Sequence, residues 1–121
     1  MGFKLVRITE EIVKFTIIDD LDDETISYID KFIIRNLEIL EKVTIDMKPV
    51  KTIGMPGYRC LKTNWELLED CEIGFELMNL SSKTKRYIMT WEKSGFLSIP
   101  GRGNLLDTFR TRQRRIKAIE E

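Results

Sequence analysis

The chain contains no histidine, so any chemistry it performs must come from thiols, hydroxyls, carboxylates and cations. Histidine-based triads, HExxH zinc sites and imidazole general bases are removed in one step. The two thiols, Cys60 and Cys71, fall inside a predicted helix and at a predicted strand start. That spacing matches neither a metal pair nor a disulfide framework, and it predicts two reduced, partly buried cysteines. A sharper question comes from the turn Gly54-Met55-Pro56-Gly57. It stands where a strand hands over to a helix, a place where many α/β proteins hold a phosphate or a nucleophile. The turn carries no hydroxyl, acid, lysine or thiol.

Other candidates are weaker. The acids Asp19, Asp20, Asp22, Asp23 and Glu24 have the oxygen ligands a hard cation takes. A strand-end loop followed by a helix N-terminus explains them more simply, because acids there complement the helix dipole. The basic run Arg110, Arg112, Arg114, Arg115 and Lys117 suits an anionic partner, but no aromatic residue follows Phe109 to stack on bases. It reads as the solvated face of a last helix. Among the hydroxyls, Ser81 and Ser82 are cap positions and Thr52 is a strand-end residue. GMPGYRC lacks the GxxxxGK[ST] spacing of a phosphate loop. The glycosylation pattern Asn79-Leu80-Ser81 falls in a predicted strand and is set aside.

Twenty basic and twenty acidic residues cancel, so no global field draws the chain to nucleic acid or to a membrane. With 121 residues, 42% hydrophobic and 33% charged, it reads as one domain over residues 1–121. That length suffices to bury about two-thirds of its unfolded surface. No apolar run is long enough to span a bilayer, and the N-terminus has no signal-peptide core. It begins Met-Gly, but Val6 breaks the myristoylation pattern at its Ser/Thr position.

The elements that position these residues follow from periodicity. Phe3 to Ile8 and Ile12 to Ile18 read as two strands linked by Thr9-Glu10-Glu11. Ile26, Ile29, Ile33, Leu37 and Leu40 repeat at helical spacing, with Asp22 or Asp23 as cap. Lys42 to Met47 is a third strand. After the turn, Pro56 suits the first helical position, and Tyr58, Leu61, Trp65 and Leu68 form an apolar stripe. Glu72 to Leu80 is a fourth strand, and Ser81 or Ser82 caps a helix carrying Tyr87, Ile88 and Trp91 that Gly95 ends. Phe96 to Ile99 reads as a short last strand, Pro100 to Gly103 as a turn, and Asn104 opens a final helix. After the first hairpin the strands and helices alternate, which predicts right-handed crossovers.

Three stretches in this order resemble the STAS domain family, the anti-sigma factor antagonists and their relatives. They are IIDDLDDETISYIDKFI, VTIDMKPVKTIGMPGYRCL and CEIGFELMNLSSKTKRYIMTWEKSGFLSI. The likeness runs over roughly residues 3 to 119, in pattern more than identity. It implies an α/β, STAS-like fold with a mixed, mostly parallel sheet of four to five strands and four helices. In family members that are phosphorylated, the helix-opening turn reads Asp-Ser-Ser/Thr-Gly. Counting from Asp46 and Val50 sets that motif on Gly54, Met55, Pro56 and Gly57, of which only Gly57 is retained. The acid falls on Gly54, and the hydroxyl positions fall on Met55 and Pro56, neither of which has an oxygen to phosphorylate.

The resemblance therefore implies a docking surface without its switch. The expectation is a non-enzymatic, cytoplasmic regulatory domain that binds a protein partner through Lys51, Thr52, Met55, Pro56, Tyr58 and Arg59. By resemblance that partner is an anti-sigma kinase-like ATPase or another STAS protein. No cofactor, metal or nucleic acid is expected, and oligomerisation stays open. The alternative is a ligand- or lipid-sensing accessory domain, with Met, Trp and Tyr side chains lining an apolar pocket.

Overall fold

The computed structural model describes residues 2–93. The expected strand at 96–99, the turn at 100–103, the last helix and its basic run lie outside the described residues. The elements run β1 (Phe3–Arg7), β2 (Ile12–Ile17), α1 (Asp23–Arg35), β3 (Lys42–Asp46), α2 (Met55–Asp70), β4 (Gly74–Met78) and α3 (Ser82–Lys93).

The four strands form one sheet in the order β1-β2-β3-β4. The β1–β2 hairpin is antiparallel, whereas β2–β3 and β3–β4 are parallel. The sheet is thus mixed rather than mostly parallel, and three helices rather than four lie among the described residues. The physical reason is the first turn. A four-residue link can only reverse the chain, whereas each later strand is reached through a helix long enough to carry it back.

Strand alternation sets the core. Val13, Phe15 and Ile17 of β2 are buried and alternate with half-buried Ile12, Lys14 and Thr16. The register places Leu5, Phe15, Ile45 and Leu77 in one row across the sheet, the last three at most 1% exposed. Full burial of such side chains contributes roughly 1.5–3 kcal/mol each. Two successive crossovers of the same hand place α1 and α2 on the same face of the sheet. There α1 buries Ile29, Phe32 and Ile33, and α2 buries Tyr58, Leu61, Trp65 and Leu68.

The helix starts are set locally. Asp22 caps α1 by accepting from the Thr25 amide at 2.8 Å, and Ser81 caps α3 by accepting from the Thr84 amide at 3.1 Å, as the cap preference predicts. Because β2, β3 and β4 are parallel, their C-terminal ends and the loops that follow gather at one end of the sheet. Ligand and partner sites of open α/β sheets form at that end.

Candidate functional site at the α2 N-terminus

The loop from β3 to α2 is held from inside by Met47, Val50 and Ile53, all at most 2% exposed. Between them Lys51 and Thr52 point outward. The loop backbone is bonded at both ends. The Met47 amide donates to the Met78 carbonyl at 2.9 Å and the Val50 amide to the Met47 carbonyl at 3.0 Å. On the far side, the Thr84 hydroxyl donates to the Val50 carbonyl at 2.7 Å. The Trp91 indole N–H donates to the Ile53 carbonyl at 2.8 Å.

Gly54, extended at φ −80 and ψ 176, is the N-cap of α2, with no side-chain hydrogen bond and no acid in the first turn. Met55 is therefore the first helical residue and Pro56 the second, one position later than the sequence suggested. Pro56 brings no N–H, which is harmless where the helix has no partner for one. Pro56 and Arg59 are exposed, and Met55 is half-buried. Beside them lies a depression of about 380 Å³ lined by Ile18, Asp19, Asp20, Pro49, Lys51 and Thr52. Ile18 is 50% exposed at its edge.

The missing cap gives a first prediction. A Cβ on Gly54 would meet only the Pro56 Cδ, at 3.7 Å, so an aspartate fits and can accept from the Gly57 amide. Gly54→Asp should raise the thermal midpoint by about 2–4 °C, from the cap and the dipole together. Circular-dichroism melts of the two proteins check this, and a fall in the midpoint would show that the turn adopts another shape.

Of the six residues expected to meet a partner, Lys51, Thr52, Met55, Pro56 and Arg59 come together here. Tyr58 does not. It is 0% exposed and stacks on Trp91 at 6.2 Å and 20° between ring planes. The correction has a simple cause: residues 58, 61, 65 and 68 share the sheet-facing side of α2, and 55, 56 and 59 lie off it. Burial, with the Glu92 carboxylate adding to it, pushes the Tyr58 phenol well above its ordinary range. Its oxygen faces the Glu92 carboxylate but makes no hydrogen bond of good geometry among the described residues.

Beneath the surface lies a polar layer that the sequence did not announce. Lys62, 1% exposed at its side chain, pairs with Glu92 of α3, 8% exposed, at 3.0 Å, and its ammonium sits 5.0 Å over the Trp65 ring. One signal was available, since Lys62 falls four residues after Tyr58 and three before Trp65, inside the apolar stripe. Between α1 and α2, the Asn64 amide donates to Asp30 at 2.6 Å, and the Cys60 thiol lies 3.6 Å from the same carboxylate. Burial, then Asp30, pushes the Cys60 thiol far up. It stays protonated and is no nucleophile. Cys71 is exposed at the end of α2, not at a strand start.

Among the described residues no group of three His, Cys, Asp or Glu side chains is placed to hold a metal ion. The acids of the β2–α1 loop serve the backbone instead, Asp22 as cap and Asp20 by accepting from the Leu21 amide at 2.8 Å. Asn79 lies beyond β4, not within it. Its φ is 58, and its amide donates to Asp46 at 2.9 Å. No described helix is long and apolar enough to cross a membrane.

A family model described as "STAS domain" matches residues 4–114. No curated protein sequence matches the chain. Among solved structures, the anti-sigma factor antagonist SpoIIAA in its unphosphorylated form is similar at 17% identity and TM-score 0.60, over 79% of this chain and 83% of that one. The Bacillus cell fate determinant SpoIIAA in its phosphorylated form is similar at 17% identity and TM-score 0.61, over 80% and 88%. A serine-to-glutamate variant of RsbS from Moorella thermoacetica aligns at 16% identity and TM-score 0.64, over 94% and 99%. At these identities the structural likeness speaks for the fold.

Proposed function

The chain belongs to the STAS domain family, and from that premise we propose that it is a non-enzymatic regulatory domain that docks a protein partner constitutively. The contact surface is the start of α2 with the loop before it: Lys51, Thr52, Met55, Pro56 and Arg59, beside the depression edged by Ile18. The observation that carries the reading is the turn itself. It is held by buried anchors and hydrogen bonds, Pro56 and Arg59 face solvent, and by the sequence resemblance Met55 and Pro56 fall where phosphorylated family members have hydroxyls. A phosphate there would add charge and break apolar docking. A soft thioether and a proline ring leave the contact permanently available.

The partner that fits is an anti-sigma kinase-like ATPase or another STAS protein, in the cytoplasm. Enzymatic chemistry finds no support in a chain without histidine whose buried thiol is held protonated. The ligand- or lipid-sensing alternative is the weaker one. Met47, Tyr58 and Trp65 are all packed in the core, and the open depression is walled largely by Asp19, Asp20, Lys51 and Thr52.

The experiment is an affinity capture from lysate with and without magnesium and ATP, read by mass spectrometry. Constitutive docking predicts that a kinase-like ATPase or STAS protein is retained equally in both. Loss of that protein only when ATP is present would overturn the reading, because it would mean the contact is still switched.

A further inference from the structure

The β3–α2 loop presents its outer residues to solvent, but its backbone is held by α3. Thr84, 0% exposed, donates to the Val50 carbonyl at 2.7 Å. Trp91, two turns further along the same helix, donates to the Ile53 carbonyl at 2.8 Å and stacks on Tyr58 in the first turn of α2. Val50 and Ile53 bracket Lys51 and Thr52, so the two bonds fix the backbone on both sides of the exposed pair. One turn beyond Tyr58, Lys62 ties α2 to Glu92, the residue after Trp91. Loop, helix start and α3 are thus joined at three levels.

We infer that α3 is the positioning element of the docking turn, with Thr84 and Trp91 as the residues that set its shape. The inference rests on the docking reading for its purpose but not for its test. A buried carbonyl that loses its side-chain donor is costly to leave unpaired, so the loop holds its outward shape only while α3 stays seated. Anything that shifts α3 by a fraction of a helical turn breaks both bonds and changes the surface offered by Lys51, Thr52 and Met55 without touching it. The Gly54–Gly57 turn carries no hydroxyl, but it has a mechanical link through which its shape can be altered from behind.

The test is amide hydrogen exchange on the full chain, free of any partner, for wild type, Trp91→Phe, Thr84→Val and Thr84→Ser. The reporters are the Val50 and Tyr58 amides, which donate to the Met47 and Gly54 carbonyls. Trp91→Phe keeps a ring against Tyr58 and removes the indole donor, and Thr84→Val removes the hydroxyl, which also pairs with the Ser81 hydroxyl at 2.8 Å. Each should speed exchange at residues 50–58 by about fivefold to tenfold while β2, β3 and α1 keep their rates. Thr84→Ser, which restores the hydroxyl, should return the loop to within about twofold of wild type. Uniform acceleration across the whole chain, or unchanged rates at 50–58, would overturn the inference, and Thr84→Val against Thr84→Ser decides it if Trp91→Phe does not fold. Because the free protein is read, a failure to capture any partner leaves this result untouched.

Discussion

Tyr58→Asp should leave the chain unfolded at room temperature, although the residue stands beside an exposed turn. The side chain is fully buried, and an aspartate there would place a second carboxylate next to Glu92, which already adds to the upward push that burial gives the phenol. Loss of the ring also empties the contact with Trp91. Large-to-small replacement of a core aromatic costs about 3–5 kcal/mol, and an unpaired buried charge adds to it. The sum is comparable to the whole stability of a domain this size, roughly 5–15 kcal/mol. Tyr58→Phe should behave in the opposite way. Among the described residues the hydroxyl it removes makes no hydrogen bond of good geometry, though it faces the Glu92 carboxylate, so the change should stay within about 1 kcal/mol of neutral. Urea titrations of the two variants check the pair of outcomes. A folded Tyr58→Asp protein would mean that the ring lies at the surface.

The second large effect is at the ion pair. Lys62→Met keeps most of the length of the side chain and removes its charge, taking the Lys62 ammonium away from Glu92, 8% exposed. Breaking a buried pair from one side costs about 3–5 kcal/mol, and Lys62→Met should lie in that range. The double variant Lys62→Met with Glu92→Leu should recover most of the loss, because taking both charges out of a buried site is often neutral. The interaction energy from the double-mutant cycle should then be roughly 2 kcal/mol or more. Additive single losses would mean that water reaches the pair and screens it.

The strands and helices were legible because their periods are clean. Val13, Phe15 and Ile17 alternate as a half-buried strand must, and Ile26, Ile29 and Ile33 repeat as a helix facing a sheet must. The position of the turn was legible for the same reason, since it is simply where one period gives way to the other. The register of Pro56 was off by one because Gly54 caps α2 without a side chain, and a glycine cap leaves no mark that separates it from a glycine in the loop. Tyr58 fitted two readings at once, as a member of the stripe with Leu61, Trp65 and Leu68 and as a neighbour of the turn. The stripe won because the sheet-facing side of α2 begins in its first turn. Lys62 was hidden by its charge, which in isolation argues for solvent; only its partner thirty residues away makes burial tolerable. The bonds from Thr84 and Trp91 to the loop carbonyls are side chain to backbone across distant segments, and no local pattern encodes them.

We propose that the exposed start of α2 is the contact itself. The direct measurement is a binding titration of the captured partner against wild type and Pro56→Asp. Pro56 is exposed, and an acid in the first turn suits the helix dipole, so the variant should fold while placing a charge on the proposed contact. The expected result is an affinity weaker by roughly tenfold or more, with an unchanged melting midpoint. Equal affinity for the two proteins would contradict the account, and the partner would then have to bind elsewhere on the fold.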